Sequence, residues 1–170
     1  MTEPETHILD APGAVLHYDV RRNDASTRPV LLLIGSPMGA EGFGTLAGHF
    51  PDRTVVTYDP RGAGRSKRTD GAPETTVEEH ADDLHRLIDA LGAGPVDIFA
   101  SSGGAVNALA LVARHPEEVR ILVAHEPPID AAGVVCWCRS RRTPIWWLCA
   151  RGAGPTRTRA GGCGVQAAGR

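Results

Sequence analysis

An α/β fold, a mostly parallel sheet with helices on both faces, is predicted for this 170-residue chain by three observations. Strand-like and helix-like segments alternate along it, which favours parallel strands joined by right-handed crossovers. The run Val30-Leu31-Leu32-Leu33-Ile34 is continuously apolar, as a strand covered on both faces is. The turns rich in small and polar residues, 35–39, 59–66, 101–104 and 125–128, all follow predicted strands, and sites in such sheets form beyond the carboxyl ends of strands.

In chain order, residues 8–9 and 14–20 read as an opening pair of strands, with Ala11-Pro12-Gly13 between them as the turn. Leu16, Tyr18 and Val20 point to one face, Val15, His17 and Asp19 to the other. Residues 21–29 form a polar loop, and the apolar run 30–34 is the next strand. A short helical stretch around residues 43–50 precedes a buried strand at 54–58. Asp59-Pro60-Arg61-Gly62-Ala63-Gly64-Arg65-Ser66 must be a loop, because it holds a proline and two glycines. Residues 76–91 form the clearest helix: Thr76 and Glu79 stand at capping-box spacing, and Val77, Ala81, Leu84, Leu87, Ile88 and Leu91 share a face. Gly92 ends it. A strand at 96–100, a helix at 104–115 and a strand at 119–124 follow.

The formal charge of −2 hides a division. Residues 1–130 hold all 20 acidic residues against 11 Lys and Arg, whereas residues 131–170 hold seven Arg, no Lys and no acid. All four Cys and all three Trp lie in the second segment. The acidic body argues against a nucleic-acid partner, since phosphate binding rests on clustered basic side chains. No window approaches the roughly 18 consecutive apolar residues of a membrane span, and the start lacks the layout of a signal peptide. The expectation is a cytoplasmic protein with no membrane partner. Two units are expected: an α/β domain at 1–130 and a poorly ordered Arg/Gly/Ala/Cys/Trp-rich tail at 131–170.

The segment 96–115 reads as a strand, a turn of small residues and a helix, the setting that turns a G-x-S-x-G-like match into a nucleophile elbow. The elbow strains its serine, so positions two before and two after must be small. Ala100 and Gly104 make Ser102 the candidate; with Ser101 as nucleophile, Phe99 would fill one of those positions.

Together, Gly35-Ser36-Pro37-Met38-Gly39, the 59–66 loop and Ala100-Ser101-Ser102-Gly103-Gly104 resemble the α/β-hydrolase fold family, whose oxyanion loop, D-x-R-G-x-G-x-S loop and elbow come in that order. The likeness covers about residues 7–130. It implies a truncated α/β-hydrolase fold, about six strands of an eight-strand sheet. It also implies ester-type hydrolysis of a small molecule without cofactor or metal, with Ser102 as nucleophile. The Gly103 N–H would be one oxyanion donor. Pro37 has no N–H, so the second is Ser36, with Met38 as the alternative. Ile34 stands where many relatives have His, and Ala100 replaces the first elbow glycine.

In this family the triad follows the order Ser, acid, His. No histidine follows His125 and no acid follows Asp130, so the acid and histidine are expected to be missing and turnover to be weak or absent. The composition changes at Cys136-Trp137-Cys138-Arg139, as an out-of-frame reading of a GC-rich gene would produce. The rival reading is a non-catalytic truncated fragment or an interaction module that self-associates through an exposed sheet edge at 119–124.

Other features read as structural. Asp59, Arg61, Gly62 and Gly64 fit a scaffold in which carboxylate and guanidinium pair. The string from Gly62 to Lys67 lacks the Walker spacing and a following helix. His125 fits a polar strand end. His80 and His85, five apart, fit a solvated helix surface. Cys136-x-Cys138 lacks zinc-knuckle spacing, and Thr143 with Pro144 could start one short helix.

Overall fold

A computed structural model describes residues 3–128. The expectations for the tail at 131–170 lie outside the described residues.

The described chain folds around a 7-stranded sheet. The first two strands, β1 (Glu5–Ala11) and β2 (Ala14–Arg21), form a hairpin whose turn uses Gly13 at φ 72°. Strands β3 (Leu31–Ile34) and β4 (Val55–Tyr58) follow, then a two-residue strand β5 (Lys67–Arg68) that pairs with β2 and that no sequence pattern marks. Strands β6 (Val96–Ser101) and β7 (Val119–His125) complete the order β1-β2-β4-β3-β6-β7. β4, β3, β6 and β7 run parallel; β1 and β2 are the antiparallel extension.

Leu16, Tyr18 and Val20 are buried as the alternation requires. Tyr18 and Val20 join Leu32, Ile34, Val56, Ile98 and Leu122 in one core. Helices α2 (Val77–Leu91) and α3 (Gly103–Arg114) cover that face, contributing Leu84, Leu87, Ile88, Ala108 and Leu111. The opposite face is smaller: Leu31, Leu33 and Val55 pack on Phe43 and Ala47. Those two come from a 3-10 turn (Ala40–Phe43) and helix α1 (Gly44–Gly48). Helices thus lie on both faces, unequally.

Helix α2 begins as its sequence dictates. Thr76 accepts from the Glu79 N–H while Glu79 accepts from the Thr76 N–H, and the helix ends on left-handed Gly92. At the amino end of β6, buried Asp97 accepts from Arg53 at 2.7 Å and from Arg120 at 2.8 Å, holding the entries of β6 and β7 together.

No described helix is long and apolar enough to cross a membrane.

Candidate active site

The sheet order places β3 between β4 and β6. The chain leaves β3 toward one side and later returns on the other, so the loops after β3 and β6 meet at a topological switch point. The 35–39 loop continues β3 and the turn 101–104 continues β6.

Ser102 stands between β6 and α3 with φ 55° and ψ −128°. That region disfavours an L-residue by about 1–3 kcal/mol. Two contacts hold it there: the Ser102 N–H donates to the His125 carbonyl at 2.9 Å, and the Ala105 N–H donates to the Ser102 carbonyl at 2.9 Å. The side chain lies at the surface, at the amino end of α3.

The small residues after Ser102 are required by the neighbouring loop. A Cβ on Gly103 would stand 2.7 Å from the Ser36 carbonyl oxygen. One on Gly104 would stand 2.7 Å from the Gly35 Cα and 2.8 Å from the Ile34 carbonyl oxygen. The two turns therefore touch backbone to backbone. Ser36-Pro37 is a cis peptide, and Gly35 packs against Met38. The Ser36 and Met38 N–H groups reach no backbone carbonyl among the described residues. The Gly103 N–H is among the first of a helix, which have no intrahelical acceptor. Ser36, Gly103 and Ser102 are thus brought to one place.

Asp59 fixes this arrangement from behind. Its carboxylate is 1% exposed and accepts from the Ala40 N–H at 2.8 Å, tying down the end of the 35–39 loop. The expected Asp59–Arg61 pairing does not occur. Asp59 instead accepts from Arg65 Nε at 2.6 Å, while Arg65 reaches on to Asp19 at 2.9 Å. Those carboxylates raise the Arg65 guanidinium further above its ordinary value. Burial works against ionisation of Asp19, but hydrogen bonds from Arg65 and Thr6 outweigh it and hold its carboxyl low. Arg61 turns to Asp83 on α2, with bonds of 2.9 and 2.6 Å and side chains 3% and 0% exposed. It also donates to the Pro12 carbonyl. The sign missed was an acid on the edge of the apolar stripe, since Asp83 precedes Leu87 by one helical turn.

His125 lies at the end of β7 beside the 101–104 turn but faces Ser101, with its Nδ1 3.2 Å from Ser101 Oγ. Its ring stacks toward Phe99 at 6.0 Å. Among the described residues no imidazole or carboxylate hydrogen-bonds Ser102 Oγ. His80 and His85 depart from the solvated surface expected of them. His80 is half-buried, and burial depresses its imidazole. His85 contacts Glu118.

The sequence model of the alpha/beta hydrolase fold matches residues 28–135. The uncharacterized hydrolase YraK of Bacillus subtilis is 42% identical over 121 residues, covering 70% of this chain and 43% of that protein. A proline iminopeptidase of Xylella fastidiosa is 35% identical over 97 residues, covering 56% of this chain and 31% of its own. Among solved structures, proline iminopeptidase from Mycobacterium smegmatis superposes with a TM-score of 0.66 at 20% identity, covering 73% of this chain and 44% of that one. A hydrolase from Pseudomonas aeruginosa does so at 0.64 and 23%, covering 72% and 46%. These two likenesses speak for the fold alone. The chain spans less than half the length of each of these relatives. The matched segment runs from the approach to β3 through the 101–104 turn and past the end of β7, and on that match the chain belongs to the alpha/beta hydrolase fold family.

Proposed function

We propose that residues 3–128 carry the nucleophile side of an ester-type hydrolase site, acting on a small-molecule acyl compound. The observation that carries this reading is the positive φ of Ser102 at a strand-to-helix turn, with the 35–39 loop seated against Gly103 and Gly104. Ser102 Oγ would attack the carbonyl carbon, its proton passing to the departing alcohol, and water would then cleave the Ser102 ester. The Gly103 N–H and the Ser36 N–H, or that of Met38, would take the charge on the carbonyl oxygen. Losing one such donor costs about 3–4 kcal/mol of transition-state stabilisation.

Attack needs a base, and among the described residues His125 is engaged with Ser101. Without base and acid, an elbow and oxyanion loop retain about 10³–10⁴-fold acceleration over water. Weak turnover is therefore what the described residues would support on their own.

A second reading, a non-catalytic fragment or an interaction module, draws support from β7. It is the last strand of the sheet order, paired among the described residues only with β6, and Val123 on it is 38% exposed. Such an edge can pair with a second copy.

A fluorophosphonate probe separates the two. Rapid labelling of Ser102, abolished in Ser102→Ala, supports the nucleophile; no labelling of a folded sample supports the second reading.

A further inference from the structure

At the far end of α3 from Ser102, about 20 Å away at 1.5 Å per helical residue, three potential metal ligands converge from three elements. His85 lies on α2, His115 closes α3, and Glu118 ends the 3-10 turn (Pro116–Glu118) that leads into β7. One ligand atom from each lies within 4.8 Å of the others. His85 Nδ1 is 2.5 Å from Glu118 Oε1, and His115 Nδ1 is 3.9 Å from the same oxygen. The two imidazoles stack, with centroids 4.1 Å apart and planes 7° from parallel.

We infer that His85, His115 and Glu118 form a binding site for a divalent transition-metal ion of the Zn²⁺ class, separate from the candidate active site.

Three features support this assignment. The donor set of two imidazoles and one carboxylate suits Zn²⁺, Cu²⁺ or Ni²⁺ and is wrong for Mg²⁺ or Ca²⁺, which take oxygen ligands. Glu118 Oε2 is buried without a hydrogen-bond partner; buried polar atoms in native proteins are rarely left so. The cluster also lies at the carboxyl end of a 12-residue helix, where the backbone dipole favours a cation.

Ligands of a tetrahedral zinc, each at about 2.0–2.2 Å from the metal, stand about 3.3 Å apart. Closing from 4.8 Å to that spacing requires the two stacked rings to turn out of their parallel arrangement, since each imidazole lone pair lies in its own ring plane. His85 and His115 are 38% and 26% exposed, which leaves room for the motion. Glu117, whose Oε1 is 4.0 Å from His115 Nδ1 and whose side chain is 72% exposed, can swing in as a fourth ligand, or water can fill that place. An ion at His85 Nδ1 would require the ring proton on Nε2 and an ionised Glu118 carboxylate. It would clip α2 to the junction of α3 and β7, the last described helix-to-strand connection.

The test uses the full chain with its four cysteines alkylated, since thiolates elsewhere would bind the same ion. Calorimetric titration with Zn²⁺ should show one saturable site, and Co²⁺ should give visible absorption of nitrogen and oxygen ligation. His85→Gln, His115→Gln and Glu118→Gln should each weaken binding at least ~10-fold, since even outer-shell partners are worth that much. Circular dichroism checks that each variant folds. Independently of any variant, Zn²⁺ should slow carbethoxylation of His85 and His115 in the unaltered sequence, read by mass spectrometry. Absence of saturable binding, affinity in all three variants equal to that of the unaltered sequence, or unchanged carbethoxylation rates would overturn the assignment.

Discussion

Replacing Gly104 by alanine separates two opposed effects whose sizes can be set from the structure. Alanine is favoured over glycine by about 0.8–1 kcal/mol in a helix interior, an upper bound for Gly104 as the second residue of α3. Against that, the new Cβ would stand 2.7 Å from Gly35 Cα, 2.8 Å from the Gly35 carbonyl carbon and 2.8 Å from the Ile34 oxygen, where ordinary contact begins near 3.4 Å. All three are backbone atoms at the end of β3, so no side chain can rotate away. Overpacking costs about 1–3 kcal/mol, and a backbone-only clash belongs at the upper end. The net expectation is about 2 kcal/mol of destabilisation, or about 8 °C in melting temperature for a domain of this size. Urea unfolding followed by far-UV circular dichroism measures it. Gly44→Ala is the control, because a Cβ there meets nothing within 4 Å. A Gly104→Ala midpoint at or above that of the unaltered chain, or an equal loss in Gly44→Ala, would refute the claim that the two turns touch backbone to backbone.

Two further outcomes follow from the charged groups. Asp83→Ala leaves Arg61 buried and unpaired and should cost about 3–5 kcal/mol, whereas Arg61→Met with Asp83→Leu should recover much of that loss in the same urea assay. Stability should also fall on the acid side in two steps. The Arg68 hydrogen bond holds the Asp70 carboxyl at about 2, below its ordinary 3.8, so its contribution is present above 3.8 and lost as pH falls toward 2. Burial lowers the His80 imidazole from its ordinary 6.5, so the unfolded chain takes up the proton first and stability drops as pH falls below 6.5. Urea midpoints across pH should show a smaller lower step in Asp70→Asn, with Asp19 and Glu79 carrying the remainder, and should lose the upper step in His80→Gln.

The parts of this molecule that were legible in its sequence are those governed by neighbours along the chain. The period of α2, its capping box, the alternation in β2 and the small residues around Ser102 are local requirements, and each reappears in the structure. What escaped depends on partners far apart in sequence. Two guanidiniums four positions apart gave no sign that Arg65, not Arg61, would take Asp59, because the choice follows from where α2 brings Asp83. β5 is two residues long and exists only because β2 lies beside it. His115 and Glu118 are at helical spacing, but only the packing of α2 on α3 supplies His85.

One consequence of the Asp59 arrangement concerns how the site can change. A Cβ on Gly39 would collide with the Asp59 carboxylate, and one on Gly64 would stand 2.8 Å from its Cγ. The carboxylate therefore sits in a socket whose two jaws belong to different loops. Neither jaw can be enlarged without pushing on the other, so the 59–66 loop acts as a shim that sets the height of the 35–39 loop over the 101–104 turn. Engineering that widens the mouth of the site by substituting residues 36–38 is mechanically separable from this socket; substitution at 39 or 64 is not. A shorter acid at position 59 is excluded by the chemistry of side chains, which leaves the spacing of the two loops with a single ruler.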